Sequence, residues 1–188
     1  MGYELAKAAA RRGAEVTLVS GKTNLPAPRF VETIPVTSAR DMFDVFQSRF
    51  LDYDIIIKAA AVADYRPKQV AEEKIKKKDG DLFLELERNP DIIQYMGQHR
   101  REGQFLCGFS MGTEHMLENS RAKLAKKNMD MIVANNLKQA GAGFGTDTNI
   151  VTLITKDSEE QLEQMTKEEV SNVIFDRILA KTGRRAHD

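Results

Sequence analysis

The run Ile55-Ile56-Ile57 leads into Ala59-Ala60-Ala61 and then directly into Val62-Ala63-Asp64-Tyr65-Arg66-Pro67. An apolar, β-branched run of this kind reads as a strand buried on both faces, which occurs where helices cover a mostly parallel sheet. We place this central strand at residues 53–61. Small residues at its carboxyl end let another molecule approach the backbone, and open α/β sheets bind ligands just beyond the carboxyl ends of their strands. The polar segment that follows carries Glu72-Glu73-Lys74-Ile75-Lys76-Lys77-Lys78. Mobile ammonium groups beside such a strand end point to an anionic ligand such as a nucleotide. Standing alone, a lysine run is more commonly a solvated face.

The remainder of the chain alternates between helical and strand patterns. Residues 3–12 read as a helix stopped by Gly13, and 14–20 as a buried parallel strand ending at Ser20-Gly21. Residues 31–36 form a strand that Pro35 keeps short or near an edge. Ser38 caps the next helix with Asp41 three residues on, and Met42, Val45, Phe46 and Phe50 give that helix its inward stripe. Asp79-Gly80 marks a turn before a strand at 82–86. Asn89-Pro90-Asp91-Ile92 is a helix start, with Asn89 as N-cap, Pro90 at the first helical position and Asp91 facing the dipole; plain capping accounts for all three residues.

A strand at 104–109 ends in Gly108-Phe109-Ser110-Met111-Gly112, and a helix from about Glu114 to Lys127 follows. Lys123 and Lys127 stand four apart on one face of it, where cations also complement the dipole of a helix C-terminus. Next come a strand at 130–134 ending at Asn135-Asn136, a glycine-rich loop at 141–145 and a strand at 150–154. The glycine loop leads into a strand and so is not a dinucleotide fingerprint. Thr166 and Glu169 form a capping box for the last helix, whose inward stripe is Val170, Val173, Ile174 and Ile178. This alternation predicts one three-layer α/β/α domain, Rossmann-like, spanning residues 1–188 with a mostly parallel sheet. Four polar clusters fall at strand ends: Ser20-Gly21, residues 60–64, residues 109–112 and Asn135-Asn136.

Charge adds a constraint. The 28 Lys and Arg balance 28 Asp and Glu, so no global field favours nucleic acid or a membrane surface. No apolar stretch approaches the roughly 18 residues that span a bilayer. Cys107, the single cysteine, lies in the apolar run 105–109 and reads as a small buried hydrophobe in a cytoplasmic protein.

Met1-Gly2-Tyr3-Glu4-Leu5-Ala6, Ala9-Ala10-Arg11-Arg12-Gly13-Ala14-Glu15-Val16-Thr17-Leu18-Val19-Ser20-Gly21, Ala60-Ala61-Val62-Ala63-Asp64-Tyr65, Glu73-Lys74-Ile75-Lys76-Lys77, Asn89-Pro90-Asp91-Ile92, Gly108-Phe109 and Lys127-Asn128 before Asp130 together resemble the phosphopantothenate-cysteine ligases. In most bacteria these form the carboxy-terminal half of a bifunctional coenzyme A biosynthesis flavoprotein. The resemblance runs from Met1 to about Ile154 and rests on several motifs in the right order. It implies a two-step reaction, in which the carboxylate of 4′-phosphopantothenate attacks CTP, or ATP, to give an acyl-nucleotide and pyrophosphate. The amine of cysteine then displaces the nucleotide.

The resemblance assigns Lys74 to a flap, residues 65–86, that closes on the reacting phosphates, and Ala60 and Ala61 to backbone lying against the intermediate. Asp64, Asn89, Pro90, Asp91, Ile92, Phe109, Lys123 and Lys127 match nucleotide contacts. Mg²⁺ is expected with the triphosphate, with no ligands assigned, and no flavin is expected in this chain. A homodimer is implied, with the strand at 82–86 a candidate interface, as is a decarboxylase domain or subunit as neighbour. In the family a strand with a Gly-rich turn precedes the first helix, so part of the substrate site is expected outside this sequence. Ser110-Met111-Gly112-Thr113-Glu114 also departs from the Ala-Ala-Glu-Thr usual after Gly-Phe. Two alternatives stand beside the ligase: a nucleotide-binding module without full activity, and a Rossmann-type NAD(P) oxidoreductase, which would need a Gly-x-Gly-x-x-Gly turn that the sequence lacks.

Overall fold

The computed structural model describes residues 1–76, 80–112, 115–136 and 146–183. The lysines at 77 and 78, the turn at Asp79, the expected helix start at Glu114 and the glycine loop 141–145 lie outside the described residues. The elements are α1 (Gly2–Arg11), β1 (Thr17–Ser20), β2 (Glu32–Pro35), α2 (Ala39–Arg49), β3 (Ile55–Lys58), β4 (Tyr65–Pro67), β5 (Leu86–Arg88), α3 (Ile92–His99), β6 (Phe105–Gly112), α4 (Met116–Lys126), β7 (Met131–Asn136), β8 (Thr148–Asn149), β9 (Val151–Thr155), β10 (Glu159–Gln161), β11 (Met165–Thr166) and α5 (Lys167–Thr182).

Alternate residues of the central strands face opposite ways, and this divides the core into two layers. Phe105, Cys107, Met131, Val133, Val151 and Leu153 pack with Leu5, Ala8 and Ala9 of α1 and Val170, Ile174 and Ile178 of α5. Ile56, Leu106, Ile132, Ala134 and Ile154 pack on the other face with Met42, Ile92, Ile93, Met96 and Leu124 from α2, α3 and α4. The three-layer α/β/α arrangement is therefore present. Both expected capping boxes form, Ser38 with Asp41 and Thr166 with Glu169. Gly183 closes α5 at φ 66°, a left-handed position that suits glycine.

The central sheet is parallel-rich as expected, with two antiparallel strands on one side, and the expected strands at 14–20 and 53–61 are shorter than read. Its five hydrogen-bonded strands run in the order β10-β9-β7-β6-β3; β3, β6 and β7 are mutually parallel, whereas β9 is antiparallel to β7 and β10 to β9. The expected strand at 14–20 is shorter, half-buried, and paired only with β2 in a separate two-stranded parallel sheet. The central strand covers Ile55–Lys58 alone, because the alanines beyond it have no ladder on either side.

Between β1 and β3 runs a cavity of about 1120 Å³. Every residue from Val16 to Gly21 lines it, so β1 presents its backbone edge and not one face; Asp54, Ile55, Ile57, Lys58, Ala59 and Ala60 line the opposite side. Tyr53, just before β3, donates its hydroxyl to Thr17 at the start of β1 (2.8 Å), while Tyr3 bonds Ser20 at the end of β1 (3.0 Å). A Cβ placed on Gly2, beside Tyr3, would lie 3.9 Å from that of Ala59 beyond the end of β3. The two strands thus run the same way, with two unpaired edges facing each other across a trench.

The expected strand at 82–86 is also corrected. Only Leu86–Arg88 is paired, antiparallel to β4, and Leu82, Phe83 and Leu84 are exposed. Among the described residues no core cluster covers their apolar side chains.

Candidate functional site at the carboxyl end of the central strand

The loop leaving β3 is fastened to the start of α3. The Asn89 amide group donates to the carbonyl of Ala63 (2.8 Å), and its backbone N–H donates to the carbonyl of Asp64 (2.9 Å). Arg66 donates to the Asn89 side-chain oxygen (2.9 Å) and to the Arg88 carbonyl (3.0 Å), and pairs with Glu87. Asn89 is therefore not the helix cap. That role falls to Asp91, whose carboxylate accepts the Gln94 N–H at 3.1 Å, and the helix begins at Ile92. The shift frees the Asn89 side chain to hold the loop that carries Ala60, Ala61 and Asp64.

Lys127 reaches the same place from α4. Its ammonium meets the Asp91 carboxylate at 2.8 Å. The corner behind it is locked: Asn128 takes a left-handed φ of 49° and donates its amide to the Gly97 carbonyl (2.8 Å). Arg100 pairs with Asp130, whose carboxylate also accepts the Leu106 N–H at 2.7 Å. The Lys127-Asn128-x-Asp130 motif thus latches α4 to α3 and β6.

Burial works against ionisation of Asp91 and is the largest single influence on it. The hydrogen bonds from Lys127 and the Gln94 N–H, with the charges of Lys127 and Lys58, outweigh burial and hold the carboxyl below its ordinary range. A carboxyl depressed in the fold stabilises it above the unfolded value of about 4 and loses that contribution as pH falls through the folded value. Asp91→Asn is expected to be less stable than the parent at pH 7, with the difference shrinking below about pH 4. Urea unfolding at several pH values checks this; a difference that did not vary with pH would contradict it.

The other expected site residues are distributed as follows. Ala60, Ala61 and Asp64 are exposed at the strand end, and Ala60 also lines the trench. Pro90 is half-buried beside them, and Phe109 is half-buried and packed against the α1 and α5 layer. Ile92 is turned into the core at 2% exposure, so only its backbone is free to meet a ligand. Lys123 is exposed and lines a smaller cavity of about 410 Å³ with Ser110, Met111, Gly112 and Lys126, apart from the pair made by Lys127. Lys74 is exposed in the segment between β4 and β5 and makes no hydrogen bond or ion pair among the described residues. Hydrogen bonds and an ion pair thus tie the Ala60–Asp64 loop, Asn89, Asp91 and Lys127 together, while among the described residues neither Lys74 nor Lys123 makes a side-chain bond to this group.

Two residues of this group were not anticipated. Arg66 ties Asn89 down, and Lys58 ends β3 as a charged residue closing an apolar run. Cys107 is fully buried in β6, and burial pushes its thiol far above the ordinary range, which leaves it no part in nucleophilic chemistry. Among the described residues no group of three His, Cys, Asp or Glu could hold a metal ion, and no helix is long and apolar enough to cross a membrane.

A helix-covered, parallel-rich sheet with latched loops and paired charges beyond its strand ends defines a Rossmann-like α/β domain built around a ligand site. The chain belongs to the DNA/pantothenate metabolism flavoprotein C-terminal domain family, whose model matches residues 1–182. It is 47% identical over 191 residues to the coenzyme A biosynthesis bifunctional protein CoaBC of Bacillus subtilis (strain 168), covering 99% of this chain and 47% of that protein. A cysteine/cysteine sulfinic acid decarboxylase from an unknown prokaryotic organism is 42% identical over 95% of this chain and 50% of its own length. The chain thus spans about half the length of the relatives it matches. A crystal structure of the C-terminal domain of CoaBC superposes with a TM-score of 0.81 at 38% identity, over 97% of this chain and 82% of that one.

Proposed function

We propose that this chain is a phosphopantothenate-cysteine ligase domain acting in coenzyme A biosynthesis. The observation that carries the reading is the latched strand end: the Ala60 to Asp64 loop, Asn89 and the Asp91–Lys127 pair gather where the open sheet admits a ligand. These are the residues through which the sequence resembles the ligases, and the identity to a coenzyme A biosynthesis protein supports the same assignment.

In the first step a carboxylate oxygen of 4′-phosphopantothenate attacks the α-phosphorus of CTP or ATP, forming an acyl–phosphate bond and releasing pyrophosphate. In the second, the cysteine amine attacks the acyl carbon, the amide forms, and the nucleoside monophosphate leaves. Joining two anions concentrates negative charge in the transition state, so the site must supply cations and exclude water. Lys127 is held at the site by its latch, whereas Lys74, on its exposed segment, is free to follow the phosphates. Lys123 would meet a more distant part of the nucleotide. Backbone N–H groups at the start of α3, Ile92 included, favour an anion beside them. Asp64, Pro90 and Phe109 would contact the nucleotide, and the exposed alanines leave room for the acyl group. Mg²⁺ would travel with the triphosphate, held mainly by phosphate oxygens and water.

The exposed Val70, Ile75, Leu82, Phe83 and Leu84 support a homodimer through the 65–86 segment, since apolar side chains so displayed mark an interface. A flavin-dependent decarboxylase unit would lie in the part of the relatives that this chain does not span.

One observation favours a second reading, a module that binds nucleotide without full turnover. Residues expected to contact the nucleotide are already tied together by the Asn89 bonds and the Asp91–Lys127 pair, whereas Lys74 makes no hydrogen bond or ion pair among the described residues. Incubation with 4′-phosphopantothenate, cysteine, Mg²⁺ and either CTP or ATP, followed by mass spectrometry, separates the two. Formation of the amide 4′-phosphopantothenoylcysteine supports the ligase. Nucleotide binding without any product supports the module.

A further inference from the structure

β3 ends in a lysine set among apolar and small neighbours. Lys58 lies two residues beyond Ile56 and so shares the face of the sheet that packs against α2, α3 and α4. Its paired residue across the ladder is Gly108, which has no side chain to cover it; Ile93 and Met129 fill the space where a Cβ of Gly108 would stand. Lys58 is half-buried and lines the trench beside Ala59 and Ala60.

The charges that act on its ammonium are those of Asp91 at the start of α3, Lys127 after α4, and Asp64 on the loop after β3. Asp91 is already engaged by Lys127 at 2.8 Å, and among the described residues no carboxylate comes within the 4.0 Å of an ion pair with Lys58. Three N–H donors thus sit in a partly dehydrated place with no acceptor among the described residues. Burial, the largest influence, together with Lys127, lowers the ammonium's pKa; Asp91 and Asp64 oppose this. A cation so placed gains from an incoming anion twice, through charge and through filled hydrogen bonds.

We propose that Lys58 is a further nucleotide-binding residue, contacting the phosphate chain of the nucleoside triphosphate from the sheet while Lys127 approaches it from α4. The inference rests on the ligase reading of this site and adds a residue to it. Neutral or Asp91-positioning roles for Lys58 make different predictions, because the proposed contact is with the phosphates themselves.

The test compares the parent protein with Lys58→Met, Lys58→Gln and Lys58→Arg by titration calorimetry with CTP and Mg²⁺, together with KM values for each substrate. Met and Gln are unbranched at Cβ, one heavy atom shorter than Lys, and remove a half-buried charge, so the fold is retained and its melting temperature does not fall. The CTP Kd and KM are expected to rise at least about tenfold in both, the scale of one lost charge-assisted contact, while the KM values for phosphopantothenate and cysteine stay within about threefold. Arg is expected to restore CTP binding to within about threefold, because it returns the charge. A CTP Kd in Met and Gln equal to that of a binding-competent parent overturns the Lys58 proposal and leaves the site reading standing. Loss shared equally by Met, Gln and Arg assigns Lys58 to packing and also overturns it. A parent that binds neither CTP nor ATP overturns the nucleotide reading itself, and the Lys58 proposal with it.

Discussion

Lys74→Ala is expected to slow pyrophosphate release from CTP and 4′-phosphopantothenate by at least about a hundredfold, with no change in melting temperature. The two halves of this expectation have separate grounds. Lys74 is exposed and makes no hydrogen bond or ion pair among the described residues, so its side chain contributes little to the fold; surface changes of this kind stay within about 0.5 kcal/mol. Its proposed work is confined to the moment when charge moves onto the departing pyrophosphate. Removing one group that acts only in the transition state typically costs 10²–10³ in rate, roughly 3–4 kcal/mol. CTP binding should fall much less than the rate, because an exposed, unanchored lysine adds little to the ground state. Rapid-quench measurement of one turnover, with calorimetric CTP binding alongside, checks both parts. An unchanged rate would remove Lys74 from the chemistry.

The second large effect is structural and acts on the site from behind. Gly97 lies in α3 where the chain turns from α4 into β7, and a Cβ there would stand 2.0 Å from the Lys127 carbonyl oxygen and 3.0 Å from its carbon. Both are backbone atoms, so no side chain can swing away, and the helix and the corner must part. Two effects of Gly97→Ala oppose each other. Alanine improves helix propensity by about 1 kcal/mol, while overpacking costs about 1–3 kcal/mol, and a 2.0 Å approach to backbone falls at the upper end. The clash wins, and stability should fall by about 2 kcal/mol. Parting the elements also strains the Asn128 bond to the Gly97 carbonyl and draws Lys127 from Asp91, so CTP affinity should fall with stability. Urea unfolding and CTP titration of the variant measure both. A variant as stable as the parent would show the two elements to be spaced more widely than described.

Much of this arrangement could be read from residue pattern because local chemistry determines it. A hydroxyl residue followed three positions later by a carboxylate satisfies two backbone donors wherever the neighbours lie, and both capping boxes formed as read. Strands buried on both faces announce themselves by unbroken apolar runs, and β6, β7 and β9 lie within two or three residues of their expected limits. Pairing that depends on a distant edge was not legible. β10 is Glu159-Glu160-Gln161, without alternation, and it is a strand because β9 offers it an edge. Likewise β1 has strand-forming residues, yet nothing local reveals that its second edge faces a trench.

The site divides along the same line. Ala60, Ala61 and Asp64 could be located by their position after an apolar strand. Asn89 could not be told from an N-cap, since Asn-Pro-Asp satisfies capping rules at two different positions and tertiary bonds to Ala63 and Asp64 decide between them. Lys127 read as a dipole complement because the carboxylate it meets lies 36 positions away in the chain. A lysine closing the Ile55-Ile56-Ile57 run was the signal for Lys58, since a charge at the end of a buried strand needs an anion or water to meet it.

The most direct test of the central claim is pyrophosphate release, followed with CTP and separately with ATP in the presence of Mg²⁺, before and after cysteine is added. The ligase account predicts release only when 4′-phosphopantothenate is present, faster once cysteine discharges the acyl-nucleotide, with one of the two nucleotides preferred. Release that ignored 4′-phosphopantothenate, or a protein that bound neither nucleotide and released nothing, would contradict it.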